Sequence, residues 1–201
     1  MTTRLKIGPA DHGMPLSLED FLSADEAEGY HYELIDGKLY VSPQPNLPEN
    51  WVEEWLADEL RLYAHQRPDV LNYLSRKARV FVPNREDVTA PEPDVAGYRD
   101  FPSDPSVSDV NWQDVSPVLV VEVLSEAKPD KDLVRNVELY GQVPSIQEYW
   151  IVDARQTPAA PTLLVYRRFR RRWRKVLTFG PGSTYTTDLL PGFSLEVAPH
   201  T

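Results

Sequence analysis

The chain contains no cysteine, which excludes disulfide bonds and thiolate metal sites and is compatible with a reducing compartment. Its four histidines are scattered, without the spacing of an imidazole metal site, and it has neither a glycine-rich phosphate loop nor a serine nucleophile elbow. No apolar run approaches the roughly 18 residues of a membrane span. Met1 to Gly13 lacks the apolar core of a secretory signal. We therefore expect a cytoplasmic protein with no membrane contact.

Positive charge is also scarce, since 21 Lys and Arg residues stand against 31 Asp and Glu residues, for a net charge of −10. This balance argues against nucleic-acid binding by the whole surface. Seven of the basic residues, however, lie between Arg167 and Lys175 with no acidic residue among them, and Tyr166, Phe169 and Trp173 accompany them. Such a mixture can neutralise phosphates and stack bases.

Two interpretations of this basic segment remain open. It is either an exposed hairpin whose arginines offset an acidic body, or a surface that contacts DNA. The opposite charges of the segment and of the remaining surface also predict a homodimer contact. If the segment contacts DNA, the candidate residues are Arg168, Arg170, Arg171 and Arg172.

At 201 residues the chain is long enough for one well-cored domain, and no linker divides it. We predict a flexible N-terminal segment over residues 1–15 and a single domain over residues 16–198. Helical and strand patterns alternate in the order helix, hairpin, helix, strands, helix, strands. This order is typical of an α/β fold with a mixed sheet.

Local signals place the elements along the chain. Ser17 predicts the N-cap of a first helix, and Asp36-Gly37 between apolar runs predicts a hairpin turn in which both residues have positive φ. Asn50 predicts the start of a second helix, which Pro68 ends. Further predictions are strands at residues 79–82, from 94, 117–125, 149–152 and 193–197, a helix over 131–141, and a hairpin of 163–166 with 173–177.

Glu122 interrupts an apolar, β-branched run over residues 117–125 that predicts a buried strand. A buried carboxylate loses its hydration and must find a cation or a proton. Asp94 begins another predicted strand, and the two carboxylates meet if these strands pair. Two such oxygen ligands suit Mg²⁺ or Mn²⁺, which can polarise a phosphoryl oxygen and activate a bound water. An ordinary salt bridge or a raised pKa is the alternative explanation.

A longer series of segments, each unspecific alone, occurs in one order: Tyr-Glu-Leu-Ile-Asp-Gly at 32–37, Pro-Asp at 93–94, Val-Val-Glu-Val-Leu-Ser at 120–125, Asp132 with Tyr140, and Glu-Tyr-Trp-Ile-Val-Asp at 148–153. The series resembles the Uma-two family of restriction-endonuclease-like proteins over roughly residues 16–197. That family is similar to the PD-(D/E)XK nuclease superfamily. The resemblance implies a restriction-endonuclease-like mixed β-sheet flanked by helices, with added β-hairpins.

The resemblance also implies roles for three acidic residues. Asp94 matches the aspartate of the Pro-Asp motif and Glu122 the glutamate of the next core strand, and both would be metal ligands. Glu33 matches the glutamate of the opening segment and would be a third acid, which assists the metal or its water. Without the resemblance, Glu33 would be interpreted as a hairpin residue with a solvent-facing charge.

The lysine that the resemblance implies is missing. The superfamily has it two residues after the glutamate, where this chain has Leu124, and the Uma-two family has it on the following helix, where this chain has Asn136. An amide can orient a water or a phosphate but carries no charge. Arg135 is expected to face elsewhere, since it is about 100° around a helix from Asn136. The remaining candidate substitutes are Lys38, Lys128 and Lys131.

We therefore predict a Mg²⁺- or Mn²⁺-dependent DNA endonuclease that hydrolyses a phosphodiester with a metal-activated water. The predicted catalytic set is Glu33, Asp94, Glu122 and Lys128, and Asn136 is a further candidate contact to nucleic acid. The alternative is a nuclease fold that has lost its chemistry and serves as a binding or interaction module. Asn136 in place of lysine and the acidic body favour this alternative.

Overall fold

The structure is a computed structural model that describes residues 4–44, 46–76, 78–102, 110–124 and 129–199. Within these ranges, helices and strands alternate as the α/β prediction requires. No helix in this part of the chain has both the length and the apolar character needed to cross a membrane.

The N-terminal part forms a hairpin unit. Its first helix, α1 (Leu18–Ser23), is capped by Ser17, whose hydroxyl accepts a hydrogen bond from the main-chain N–H of Asp20. Asp36 and Gly37 make the predicted turn, with φ angles of 48° and 66°. The strands of this unit are β1 (Lys6–Ile7), β2 (Asp25–Glu26), β3 (Tyr30–Ile35) and β4 (Lys38–Pro43), and a 3₁₀ turn spans Pro9–Asp11.

The described part of the segment predicted to be flexible, residues 1–15, contains a short strand and a 3₁₀ turn. β1 pairs in parallel with β2. The side chain of Ile7 is buried together with Phe21 and Leu34. The segment covers an apolar face that the hairpin of β3 and β4 would otherwise expose to water.

The second helix, α2 (Leu47–Gln66), begins before the predicted start at Asn50. Its N-cap is Asn46, and the main-chain N–H of Asn46 donates to Glu49 Oε2 at 2.8 Å to complete a capping box. Pro48 is tolerated in the first turn, where a main-chain N–H has no helical partner. The helix ends just before Pro68, as predicted.

The centre of the fold is a mixed seven-stranded sheet. Its strands are β5 (Tyr73–Ser75), β6 (Val95–Tyr98), β7 (Leu119–Val123), β8 (Glu148–Asp153), β9 (Thr162–Phe169), β10 (Arg172–Trp173) and β11 (Leu177–Phe179). The strand order is β10-β9-β8-β7-β6-β5, and β11 also pairs with β9. β7 and β8 are parallel, whereas the other neighbours are antiparallel.

Residues 79–82 do not form the predicted strand. The main-chain N–H groups of Val80 and Val82 donate to the carbonyls of Pro91 and Thr89. Pro91 has no N–H with which to return a hydrogen bond, so a regular ladder does not develop.

The predicted helix over residues 131–141 is present, but its first turn is irregular. Lys131–Arg135 form a π-helical turn, in which the main-chain N–H of Asn136 donates to the carbonyl of Lys131. A regular helix, α3 (Asn136–Gly141), follows. A hydrogen bond across five residues widens the turn and changes which side chains share a face.

The central sheet separates two apolar layers. On one face, α2 packs around Trp150 together with a two-stranded sheet of β12 (Thr184–Thr186) and β13 (Ser194–Glu196). On the other face, Val120 and Ile151 pack against α3. Because side chains alternate along β7, Glu122 lies on the same face as Val120 and towards α3.

Candidate active site

Asp94 directly precedes β6, and Glu122 lies on the neighbouring strand β7. β6 and β7 are antiparallel with Val95 opposite Val121, so continuing the register by one residue pairs Asp94 with Glu122. The carboxylate of Asp94 accepts a hydrogen bond of 2.6 Å from the main-chain N–H of Val123. The sheet thus brings together the two acids that the sequence suggested as metal ligands.

The two carboxylate oxygens of the completely buried Glu122 differ in their surroundings. Oε1 accepts hydrogen bonds of 2.9 Å from the side-chain amide of Asn136 and from the hydroxyl of Tyr140. Oε2 accepts no hydrogen bond from the residues that the structure describes. The ammonium of Lys131 lies 3.8 Å from this oxygen. A buried oxygen without a donor is costly, so this position favours a cation.

The π-helical turn and the first residue of α3 supply three polar groups around Glu122. Lys131 Nζ lies 3.3 Å from Asp132 Oδ1. The same carboxylate oxygen accepts a hydrogen bond of 2.9 Å from the Asn136 side chain. Asp132 and Asn136 are both buried. Lys131, Asp132 and Asn136 therefore place a cation, an acid and an amide around the carboxylate of Glu122.

Glu33 is buried rather than exposed to solvent. Its Oε2 accepts a hydrogen bond of 2.6 Å from Arg135 Nη2, and its Oε1 accepts one of 3.2 Å from the main-chain N–H of Glu92. Arg135 also donates through Nε to Asn136 Oδ1 at 3.0 Å. The expectation that Arg135 faces away is therefore wrong, because the irregular turn and the long side chain bring its guanidinium into the site. Glu33 anchors this guanidinium.

Burial dominates the protonation of these groups. It raises the pKa of Asp94 to about 7 and the pKa values of Glu122 and Asp132 to about 8, although Lys131 opposes the shifts. At Glu33, burial is outweighed by nearby cations, Lys131 first, and the pKa is lowered. At Lys131, burial is outweighed by the surrounding acids, and the pKa lies well above its ordinary value.

The acid cluster, which comprises Glu33, Asp94, Glu122 and Asp132, suits a divalent cation. These four carboxylates surround two cations, so full ionisation would leave two negative charges, which one Mg²⁺ or Mn²⁺ ion would balance. Within the described ranges, no three Asp, Glu or His side chains form a ready-made metal cage. Mg²⁺ often takes only one or two protein carboxylates and keeps several waters. Asp94 and Glu122 fit that mode of binding.

A cleft of about 480 Å³ opens beside the acid cluster. Its walls come from β3, β4 and the π-helical turn, and they include Glu33, Tyr40, Lys131 and Arg135. The guanidinium of Arg135 lies 5.2 Å from the centroid of the Tyr40 ring. The side chain of Lys131 is 21% exposed. Lys131 therefore connects the cleft with the buried carboxylates.

Comparison with known proteins now identifies the family. The model of the Uma2 family, described as "Putative restriction endonuclease", matches residues 18–198. The chain belongs to the Uma2 family. A crystal structure described as a putative nuclease belonging to DUF820, from Anabaena variabilis ATCC 29413, aligns with a TM-score of 0.69 over 91% of this chain and 96% of that chain, at 17% identity. This likeness confirms the predicted fold, while a search of curated proteins found no match.

A further buried acid of this Uma2 protein was missed in the sequence. Glu53 on α2 is buried and accepts a hydrogen bond of 2.9 Å from Arg76 Nε. Burial, together with the charge of Glu53, raises the pKa of Asp94. Glu53 therefore lies close enough to act on the site. A signal was present, since Glu53 precedes Leu56 and Leu60 at helical spacing and so shares their buried face.

Two other residues suggested from the sequence have different positions from those expected. Asn136 is completely buried, so it is not a surface contact for nucleic acid but a hydrogen-bond donor to two carboxylates. Lys38 is exposed and directly follows the turn of Asp36 and Gly37, where it contacts none of the acid cluster's carboxylates among the ion pairs of the described residues. Lys128 lies outside the described residues.

The arginines suggested as nucleic-acid contacts lie on the basic hairpin, residues 167–175, and fall into two groups. Arg170, Arg171 and Arg172 are exposed at its tip. Arg168 is not part of this exposed set, contrary to expectation, because its guanidinium is engaged by main-chain carbonyls. These acceptors are Tyr140, Gly141, Val143 and Ile146.

The same contacts fasten the basic hairpin to the helix of the active site. Arg168 binds carbonyls at the C-terminal end of α3 and in the turn that follows. Trp173 Nε1 donates to the carbonyl of Val137 at 2.8 Å. The exposed arginines therefore belong to a hairpin that contacts both ends of α3, and Asn136 of the same helix contacts Glu122.

Proposed function

We propose that this Uma2 protein is a Mg²⁺- or Mn²⁺-dependent nuclease that hydrolyses DNA phosphodiesters. The observation that carries the proposal is the pair of Asp94, directly before β6, and Glu122 on β7, in which the buried Oε2 of Glu122 accepts no hydrogen bond from the described part of the chain. This oxygen suits a metal ion better than a protein donor. The description of the family supports the same class of reaction.

Asp94 and Glu122 would hold the ion, which when bound polarises a phosphoryl oxygen and lowers the pKa of a water. Asn136 and Tyr140 hold the other oxygen of Glu122, so that this carboxylate is oriented in advance. The main-chain N–H of Val123 orients Asp94 in the same way. Hydrolysis joins a water oxygen to phosphorus while the bond to the leaving oxygen breaks, and the leaving oxygen gains a proton.

Replacing Asp94 by asparagine should weaken Mn²⁺ binding by about 100-fold and abolish cleavage, because an amide supplies a poorer oxygen ligand without charge. Isothermal titration with Mn²⁺ and cleavage of supercoiled plasmid measure the two effects. Asp58→Asn is the matched control, since Asp58 is an exposed aspartate on α2. The metal proposal fails if Asp94→Asn and Asp58→Asn bind Mn²⁺ equally well.

DNA as the substrate is supported by the basic hairpin. Arg170, Arg171 and Arg172 are exposed, and the guanidinium of Arg170 lies 5.5 Å from the centroid of the exposed Phe169 ring. Exposed arginines beside an aromatic ring can neutralise a phosphate backbone and stack on bases. The surrounding acidic surface confines this attraction to the hairpin.

Changing Arg170, Arg171 and Arg172 together to glutamine should weaken DNA binding and its salt dependence. The slope of the logarithm of affinity against the logarithm of salt concentration should fall by about one for each phosphate that the variant no longer neutralises. Fluorescence anisotropy with a labelled oligonucleotide at several salt concentrations measures this slope. The control variant carries Arg4→Gln, Lys6→Gln and Arg61→Gln, which remove three positive charges outside the basic hairpin. It should keep the wild-type slope.

The rival function is a nuclease fold that binds DNA without cutting it. The neutral Asn136, which hydrogen-bonds Glu122 where the family resemblance implies a lysine, favours this function. It predicts that the wild-type protein leaves plasmid and oligonucleotide substrates intact in Mn²⁺ while binding them. Cleavage that disappears in Asp94→Asn would reject it.

A further inference from the structure

We propose that Lys131 supplies the positive charge that Asn136 lacks and contacts the scissile phosphate as a catalytic residue. The proposal rests on the nuclease function above and assigns a further residue to it. Lys131 Nζ lies 3.8 Å from Glu122 Oε2 and 3.3 Å from Asp132 Oδ1. It is thus next to the carboxylate oxygen that accepts no hydrogen bond from the described residues.

The π-helical turn explains how two positions can serve one carboxylate. In a regular α-helix, residues five apart point about 140° away from each other. The hydrogen bond from the main-chain N–H of Asn136 to the carbonyl of Lys131 widens the turn and reduces this divergence. As a result, Asn136 reaches Oε1 of Glu122 while Lys131 approaches Oε2. A cation at either position would therefore lie beside the same group.

The exposure of Lys131 fits contact with a substrate. Glu122 and Asp132 are buried, but the Lys131 side chain is 21% exposed and lines the cleft. A phosphate that enters the cleft meets this ammonium beside the carboxylates that would hold the ion. Arg135, the other cation of the cluster, is already hydrogen-bonded to Glu33 at 2.6 Å.

The charge state of Lys131 limits its role. Its ammonium lies 3.8 Å from Glu122 Oε2 and 3.3 Å from Asp132 Oδ1, and carboxylates this close favour the charged form of an amine. Lys131 therefore acts as an ammonium. It would donate hydrogen bonds to non-bridging phosphoryl oxygens and stabilise the charge that develops on them, and it would not remove a proton from water.

A purely structural role for Lys131 is the alternative, in which the ammonium only neutralises buried acids. The two roles differ in what an amine at position 136 does. If the charge is needed at the phosphate, Asn136→Lys in a Lys131→Met background should restore cleavage, because the new ammonium lies beside Glu122. If the role of Lys131 is structural, Lys131→Met should lower the Tm, and adding Asn136→Lys should not restore cleavage.

The experiment measures plasmid cleavage in saturating Mn²⁺, Mn²⁺ affinity by calorimetry and the Tm. Lys131→Met should lower the cleavage rate by about 100-fold or more, which is the effect of removing one charge-stabilising donor, while Mn²⁺ still binds. Lys131→Met with Asn136→Lys should regain at least tenfold of the rate. Lys131→Arg should cleave at a rate within about tenfold of the wild-type rate. Lys38→Met, which changes an exposed lysine, is the control and should cleave at the wild-type rate.

Several outcomes would overturn the proposal. These are a Lys131→Met rate within threefold of the wild type, or a folded, Mn²⁺-binding double variant that is no more active than Lys131→Met. If the double variant does not fold, Lys131→Arg decides, and a rate as low as that of Lys131→Met counts against the proposal. An inactive wild type overturns the nuclease function as well, whereas an active wild type with an equally active Lys131→Met overturns only the role of Lys131.

Discussion

Replacing Glu122 by glutamine should abolish cleavage and stabilise the metal-free protein. Burial raises the pKa of Glu122 to about 8 from an ordinary value of 4.5, so its ionisation destabilises the fold increasingly as pH rises through this interval. Glutamine stays neutral and keeps an Oε1 acceptor for Asn136 and Tyr140. In EDTA, the free energy of unfolding of the variant should exceed that of the wild type by about 3–5 kcal/mol at pH 8.5 and by about 1 kcal/mol at pH 5.

Metal ions should reverse this order of stability. Mg²⁺ should stabilise the wild type through binding to the folded state and leave the Glu122→Gln variant unchanged. Cleavage should fall by about 10³-fold or more, because the ion supplies several kcal/mol to the transition state. Urea unfolding at both pH values, with EDTA or with Mg²⁺, and a plasmid assay measure these effects. A stability difference that is the same at pH 5 and pH 8.5 would contradict the ionisation of a buried Glu122.

The same substitution at Glu148 should have the opposite effect on stability. Glu148 is buried on β8, where Oε2 accepts hydrogen bonds of 2.8 Å from Trp150 Nε1 and from the Tyr185 hydroxyl, and Oε1 lies 3.1 Å from Arg167 Nε. A glutamine would turn an NH₂ group towards donors and leave Arg167 without its counter-charge. We expect Glu148→Gln to lower the free energy of unfolding by about 2–4 kcal/mol.

Thermal unfolding provides the measurement for Glu148→Gln. A loss of about 3 kcal/mol corresponds to a fall in Tm of roughly 6–12 °C for a chain of this size. Glu138→Gln is the matched control on an exposed glutamate and should leave the Tm unchanged. If Glu148→Gln had the same Tm as Glu138→Gln, the hydrogen bonds to Glu148 would not contribute to the stability of the fold.

The parts of the fold that could be predicted depend on local chemistry. The hairpin at Asp36-Gly37 and the cap at Ser17 follow from residues that require particular main-chain angles or acceptors. The start of α2 was missed although Asn46 and Glu49 carry the capping signal, because Pro48 resembled part of a loop. Residues 79–82 have the apolar pattern of a strand, but Pro91 opposite them prevents a ladder.

The candidate site was only partly predictable for a related reason. Glu122 and Asp94 were evident because a charge in an apolar strand is costly and a neighbouring strand offered a second acid. The choice among lysines required the path of the chain after β7. Arg135 was misplaced because a regular helix was assumed, whereas the π-helical turn depends on packing that the sequence pattern does not contain.

The attachment of the basic hairpin to α3 has a consequence for where a strand would be cut. Arg168 binds a carbonyl at the C-terminal end of this helix and Trp173 binds one in its first turn, while Asn136 and Tyr140 of the same helix hold Glu122. The exposed arginines and the carboxylates are thus connected through one short helix. A backbone phosphate bound at the hairpin would lie at a constant offset from the carboxylates, so the fold would act as a ruler that sets the length of the fragment released.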